Sequence, residues 1–305
     1  MIISHLVRPL DVDAASHPRH QPHVSSASGL VIVGDWFYIV ADDENHLAAL
    51  RRCGVDSAAL QLLRLVEGDL PTDAGARKRQ KKDLEALFHV PGNEQRASML
   101  VAWGSGSRPQ RDIAYVVELD AQGNPAGAVK AVSLEPLHGM LRTRVKELNI
   151  EAGFVQGDML CLISRANVGA PVNGCFRIAL SWAIDFLLGG ERHAAMPEVD
   201  LLPLDLGRIA GVPLGITDAC PLAEGGWIFS AVGENTSNAY DDGGFEGAVL
   251  GACDADGRVM WMDALEGDFK VEGLALDEQA VLWLTTDADD PAAPSQLRSL
   301  QWPPA

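Results

Sequence analysis

One pattern recurs five times along this chain and constrains its fold more than any other feature. The windows are "SGLVIVGDWFYIV" from Ser28, "EALFHVPGNEQRASMLVAW" from Glu85, "EAGFVQGDMLCLI" from Glu151, "DACPLAEGGWIFSAV" from Asp218 and "EGLALDEQAVLWL" from Glu272. Each holds a polar residue, a small residue (Gly29, Ala86, Ala152, Ala219, Gly273), an apolar run, a turn and a second apolar run. First positions lie 57, 66, 67 and 54 residues apart, averaging 61, and five such units account for the 305 residues. Repeats of this length, each a short antiparallel sheet unable to bury its own faces, indicate a β-propeller.

The intervening segments complete the blades. "DIAYVVELDAQGNPAGAVKAVSL" supplies two outer strands to the second unit, and "GAVLGACDADGRVMWMDAL" supplies two to the fourth around an Asp-Gly turn. The fifth window is followed only by "QLRSLQW" and is one strand short. The N-terminal "MIISHLVRPL" is expected to fill that place, closing the ring and leaving no sheet edge open at the join. The expectation is therefore a single all-β domain over residues 1–305, a five-bladed propeller. A six-bladed ring is the alternative, if residues 120–145 hold a degenerate unit. "LSWAIDFLLGG" (180–190) reads as a short helix inserted in the third blade, and 69–83 as a polar loop.

In a propeller the first strand of each blade lines the central channel. The polar first positions should then meet at one level, as a carboxylate ring of Glu85, Glu151, Asp218 and Glu272 with Ser28 in the fifth place. Two unit charges ~4 Å apart repel by about 4 kcal/mol at an effective dielectric near 20. Such a ring needs cations among its members, or some members must hold protons. Bases flank the same strand starts (Lys81, Lys82, Lys146, Lys270), and Arg108 and Arg165 follow second strands. A hard divalent cation is the other compensator. Oxygen donors with Asn149, Asn167, Glu234, Asn235, Asp242 and Asp287 nearby suit Ca²⁺, or Mg²⁺ or Mn²⁺, rather than zinc. The purely structural alternative is a water-filled channel whose ion pairs hold the blades in register.

Composition narrows the partners. With 42 acidic and 24 basic residues the formal charge is −18, which repels nucleic acid and anionic membrane surfaces. The basic run "ARKRQKK" (76–82) reads as a solvated linker. No apolar run approaches the ~18–20 residues needed to span a bilayer, and the first residues lack the basic and apolar regions of a leader. Five dispersed cysteines without a C-x-x-C pair fit a reducing compartment, so the sequence reads as cytoplasmic.

Other motifs leave two readings each. "WGSGSRPQRD" (103–112) offers backbone amides, hydroxyls and Arg108 and Arg111 to an anion, or is a plain turn. "GENTSNAYDDGG" (233–244), with Tyr240, is a lid or an ordinary surface loop. His17, His20 and His23 are three residues apart, but the prolines between them forbid a helix that would gather their rings on a metal. Ser28 lacks the G-x-S-x-G elbow and reads as a channel hydroxyl.

On "ASGL", "GSGSRPQRD", "LNIEA", "TDA", "FSAV" with "NAYDDG" nearby, and "KVEGLAL", the chain resembles an uncharacterised family of bacterial propeller proteins over nearly its whole length. Its "EG-apolar" strand starts are more distantly similar to esterase-like phytase and gluconolactonase-type propellers. That likeness implies inner-strand carboxylates holding a divalent metal against a phosphoester or lactone. Glu151 and Glu272 fit it best, and Ser28 departs from it. The functional expectation is a metal-assisted hydrolase of a small anionic ester or lactone. Glu151, Asp218 and Glu272 would hold the cation and Glu85 would ligate it or act as general base. Arg108, Arg165, Lys270, Lys82 and Ser28 would contact the substrate. The alternatives are a non-catalytic ligand- or protein-binding propeller, and a glycoside hydrolase using inner-strand carboxylates.

Overall fold

Each repeat folds as an antiparallel meander, because its two apolar runs alternate with turns too short for any other connection. The computed structural model describes residues 1–189, 196–238 and 243–304. Strand β1 (His5–Pro9) precedes the first repeat. Blade 1 comprises β2 (Ala27–Val33), β3 (Trp36–Ala41), β4 (His46–Arg51) and β5 (Gln61–Arg64). After helix α1 (Ala74–Gln80), blade 2 comprises β6 (Leu84–Val90), β7 (Ser98–Gly104), β8 (Ile113–Leu119) and β9 (Pro125–Ser133). Helix α2 (Glu135–Leu141) leads to blade 3, with β10 (Ile150–Gln156), β11 (Met159–Ser164), β12 (Asn173–Ala179), helix α3 (Leu180–Leu188) and β13 (Val199–Leu204). Blade 4 begins with the two-residue β14 (Arg208–Ile209). It continues through β15 (Val212–Pro221), β16 (Trp227–Asn235), β17 (Gly244–Cys253) and β18 (Val259–Ala264). Blade 5 has β19 (Lys270–Leu276), β20 (Val281–Asp287) and β21 (Gln296–Gln301), with β1 as its outermost strand.

The ring therefore has five blades, and residues 120–145 hold an outer strand and a helix rather than a sixth. β1 pairs antiparallel with β21, from His5 opposite Ser299 to Pro9 opposite Gln296. Within the stretch expected to be a loop, 74–80 is helical, started by the Asp73 carboxylate accepting the Ala76 N–H at 2.8 Å. Helix α3 falls where the sequence placed it. Among the described residues, no helix is long and apolar enough to cross a membrane.

The core is divided among the five gaps between neighbouring blades. Tyr38, Leu87 and Tyr115 fill the first gap, and Phe88, Trp103 and Phe176 the second. Phe154, Trp227 and Phe229 fill the third. Ile228, Val271 and Leu284 fill the fourth, and Leu30, Phe37 and Leu297 the fifth. In the second gap, Trp103 Nε1 donates to His138 Nε2 at 2.9 Å while His138 Nδ1 meets Asp112 Oδ1 at 2.7 Å, fixing α2 against blade 2. The imidazole is fully buried and both its nitrogens are engaged, so this pair is structural.

Every inner strand carries a bulge at the same height. Pairing with the second strand slips between Ala27 and Gly29, Leu84 and Ala86, Ile150 and Ala152, Ile216 and Asp218, and Val271 and Gly273. The extra residues are therefore Ser28, Glu85, Glu151, Thr217 and Glu272, and a bulge re-aims the side chain it carries. The next position faces the adjacent inner strand at close range. A Cβ on Gly29 would lie 2.9 Å from Glu85 O, and one on Gly273 would lie 3.0 Å from the Leu30 backbone nitrogen. Removing residues 1–9 should expose the β21 edge and open the ring. We expect the truncated chain to melt roughly 10 °C or more below the full chain and to self-associate on size-exclusion chromatography. Joining the same segment after β21 through a short linker should restore both properties.

Candidate functional site

Three sets of side chains meet above these bulges. The bulge residues Ser28, Glu85, Glu151 and Glu272 line a cavity of about 100 Å³ at one end of the channel. Two residues earlier on the same strands, Asp83, Asn149 and Lys270 join them. From the ends of second strands come Asp42, Arg165 and Asp287, each one residue beyond the partner of the residue that precedes the bulge. Glu234 reaches the same wall from β16.

Most of these charges are paired. Arg165 spans Glu151 at 3.3 Å and Glu234 at 2.5 Å, and Lys270 meets Glu234 at 3.4 Å and Asp289 at 2.6 Å. Asn149 also donates to Glu151. Lys81, the residue that caps the C-terminus of α1, bonds to Asp42 and lies 3.0 Å from Asp83 Oδ1. Asp83 sits at φ 56°, in a left-handed conformation that aspartate adopts more readily than most residues. Its Oδ2 accepts from Ser105 Oγ and Arg111 Nη1, both at 2.5 Å.

Among the described residues, eight carboxyl groups but only five cationic side chains line the cavity. The excess of three corresponds to Glu85, Glu272 and Asp287, which hold no ion pair among the described residues. Burial pushes the Glu85 carboxyl well above the usual range, with Asp83, Glu151 and Asp42 adding to the shift and Lys81 opposing it. Burial does the same to Glu272 against the pull of Arg165, and to Asp287, where Asp42 and Asp289 reinforce it. Asp42 is raised to about 6 and Glu151 to about 7, in both cases by burial that outweighs the partnering cation. Burial would also lift Glu234, but Arg165 and Lys270 together hold it below its ordinary value.

Of the residues expected from sequence, Ser28, Glu85, Glu151, Arg165, Lys270 and Glu272 meet at this cavity, and Asp218, Lys82 and Arg108 are not on its wall. In blade 4 the bulge comes one residue earlier than the repeat alignment implies. Thr217 takes the bulge position and donates to Val271 O at 2.5 Å, while Asp218 takes the close-approach position. The Asp218 carboxyl accepts the Leu274 N–H at 2.6 Å and the Ala219 N–H at 2.8 Å. It occupies the waist of the channel beside Gly29, Ala86, Ala152 and Gly273. Below that waist lies a second cavity of about 250 Å³ with an apolar wall that includes Leu30, Leu87, Phe154 and Leu274. Lys82 is replaced by its neighbour Lys81. Arg108 is exposed where the 109–111 turn begins, and Arg111 is the buried residue of that loop. The glycine–serine loop does cradle an anion, but the anion is the chain's own Asp83. His17 meets buried Glu44 at 3.0 Å and His23 meets Pro291 O at 3.1 Å, so the histidine triplet is dispersed. Tyr240 and Asp242 lie outside the described residues.

Residues 23–301 match the family model described as a family of unknown function, DUF6929. The chain belongs to DUF6929. No curated protein matches this DUF6929 member by sequence. Solved structures with a similar course include Myxococcus xanthus glutaminyl cyclase, at 11% identity and TM-score 0.48, covering 98% of this chain and 96% of the other. A luciferin-regenerating enzyme aligns at 9% identity and TM-score 0.44, covering 92% of each chain. The WD40 propeller domain of Doa1 aligns at 9% identity and TM-score 0.40, covering 99% and 98%.

Two outcomes follow for the DUF6929 site. Asp218→Ala strands two buried N–H groups, at a cost of about 1–3 kcal/mol. Its melting temperature should fall by several degrees while ligand affinity at the upper cavity stays unchanged. Glu151 binds its proton more tightly folded (about 7) than unfolded (near 4.5), so its protonated form favours the fold. The stability it contributes is complete below about pH 4.5 and is lost as pH rises through about 7, on the order of 3 kcal/mol. Denaturant melts of the metal-free protein should show this decline, and Glu151→Gln should flatten it.

Proposed function

We propose that the upper cavity is the catalytic site of a cation-assisted hydrolase acting on a small anionic ester or lactone. The observation that carries this reading is the excess of three carboxyls, Glu85, Glu272 and Asp287, facing the same small space as Arg165 and Lys270. An oxygen-rich wall with more carboxyl groups than cations fits Ca²⁺, Mg²⁺ or Mn²⁺. Such an ion, when bound, polarises the carbonyl or phosphoryl oxygen and acidifies a water. Glu85, which a cation bound beside it would hold ionised, would take the proton of the attacking water. Glu272, kept protonated by burial, returns one to the leaving oxygen. Arg165 and Lys270, already sharing Glu234, turn to the substrate's anionic group. All five cysteines are free of disulfides and four are buried, which supports a reducing, cytoplasmic setting.

One observation favours a second, non-catalytic reading as a ligand-binding propeller. Lys81 and Arg111 together already neutralise Asp42 and Asp83 without any external ion. A sugar hydrolase is less favoured, since no aromatic side chain among the described residues lines the cavity.

Turnover of a panel of lactones, carboxylic esters and phosphoesters, with Mn²⁺ or Ca²⁺ and with chelator, tests the proposal. We expect hydrolysis that chelator abolishes and that Glu85→Gln lowers at least about 100-fold, within the usual range for a general base. Equal rates in chelator, or a Glu85→Gln enzyme as fast as the parent, would sink it. A ligand that raises the melting temperature without being turned over would leave the binding reading.

A further inference from the structure

We infer that the seat for an external divalent cation is the cluster of Asp42, Asp83 and Glu85, and that Lys81 is an internal occupant which the cation displaces. This rests on the proposed function only in supplying the cation that the reaction uses. Among the described residues, this is the one set of three metal-ligating side chains that brings an oxygen from each within 4.8 Å of the others. The ligand set expected from sequence, Glu151, Asp218 and Glu272, is not such a set. A second feature points to a missing cation independently of that cluster. Glu272 is only 7% exposed, lines the same cavity, and engages no hydrogen bond or ion pair among the described residues.

The geometry divides the work of Asp83 between its two oxygens. Oδ2 is held from behind by Ser105 and Arg111, and Oδ1 is left facing Lys81. Asp42 also turns a single oxygen to the lysine. Glu85, the third member, makes no hydrogen bond or ion pair with the described residues. A hard cation coordinated by one oxygen from each of three carboxylates needs no rebuilding of the backbone, only departure of the ammonium. An ammonium has no lone pair to offer a metal, so Lys81 and a divalent cation cannot share these oxygens and must compete. The lysine stands at the end of α1 on a flexible four-carbon stem, so it can swing clear while the helix stays anchored by Arg77 to Asp43 at 3.0 Å. Competition of this kind lowers apparent affinity by the fraction of molecules in which the seat is open.

Mn²⁺ is a suitable probe because its binding is read directly by electron paramagnetic resonance. Lys81→Met should bind Mn²⁺ at least about tenfold more tightly than the natural chain, and adding Asp83→Asn should reverse the gain. Lys81→Met leaves Asp42 without its cation and Asp83 with Arg111 alone, and can fail to fold, so a second measurement uses the natural protein. Amine acylation followed by mass spectrometry should show Lys81 protected without metal and labelled at least about tenfold faster in saturating Mn²⁺, with Lys270 unchanged. If Lys81→Met binds Mn²⁺ no more tightly, if neither protein binds it, or if Lys81 stays protected in saturating Mn²⁺, the assignment is wrong. Tight Mn²⁺ binding with no hydrolysis of any ester would remove the hydrolase and keep the seat. Metal-dependent hydrolysis with Lys81 still protected would remove the seat and keep the hydrolase.

Discussion

Five inner strands converge so closely on one axis that in blades 1 and 5 the residue after the bulge has almost no room for a side chain. At Gly29 a Cβ would sit 3.0 Å from the Leu87 nitrogen, and at Gly273 it would sit 2.1 Å from Thr285 Oγ1. The bulge one position earlier is the companion of that crowding. It takes one residue out of register in each strand, so that a polar side chain can leave the packed waist and stand above it. Ser28, Glu85, Glu151 and Glu272 owe their common height to this backbone device. Four of the five blades thus present a polar group to one small cavity without any of those residues being near another in sequence.

That concentration of acid is workable only because cations arrive from elements other than the inner-strand bulges. Arg165 comes from the end of a second strand, Lys81 from the end of a helix and Arg111 from a loop, and each bonds a carboxylate belonging to a neighbouring segment. Buried pairs of this sort contribute little net stability, because desolvation offsets much of the attraction. Their importance is in what they leave over. Wherever a cation is supplied the carboxylate is spoken for, and Glu85 and Glu272 are left facing the cavity without an ion-pair partner among the described residues.

The architecture was legible because the two-run pattern repeats and because the fifth unit is visibly one strand short. The site was legible in part, for physical reasons that particular residues make plain. Asp218 and Thr217 are adjacent polar residues, and a sequence alignment on the small position cannot say which of them is bulged. The one-residue difference turns the carboxylate from the cavity into the waist. Lys81 and Lys82 pose the same ambiguity, resolved by the helix end that aims the first of them. Asp42 was missed, although it stands just past a second strand as Arg165 and Asp287 do. Asp83 was missed because its place, two residues ahead of the bulge, becomes recognisable only once Asn149 and Lys270 are seen at the same offset.

The ring is fivefold in its backbone and unequal in its chemistry, and blade 4 shows why. Both polar groups near its bulge are spent on blade 5, Thr217 on Val271 O and Asp218 on Leu274 N–H. The N-terminus makes a third link across the same gap. Ile2 donates to Ala264 O at the end of β18 and its own carbonyl accepts the Glu266 N–H, both at 2.8 Å, before the chain continues into β1 of blade 5. Blade 5 is the one assembled from both ends of the chain, and these three links fasten its seam with blade 4. A blade whose inner-strand polar residues bind its neighbour cannot also offer them to a ligand. The carboxylate of blade 4 is therefore absent from the ring because it is spent on the seam with blade 5.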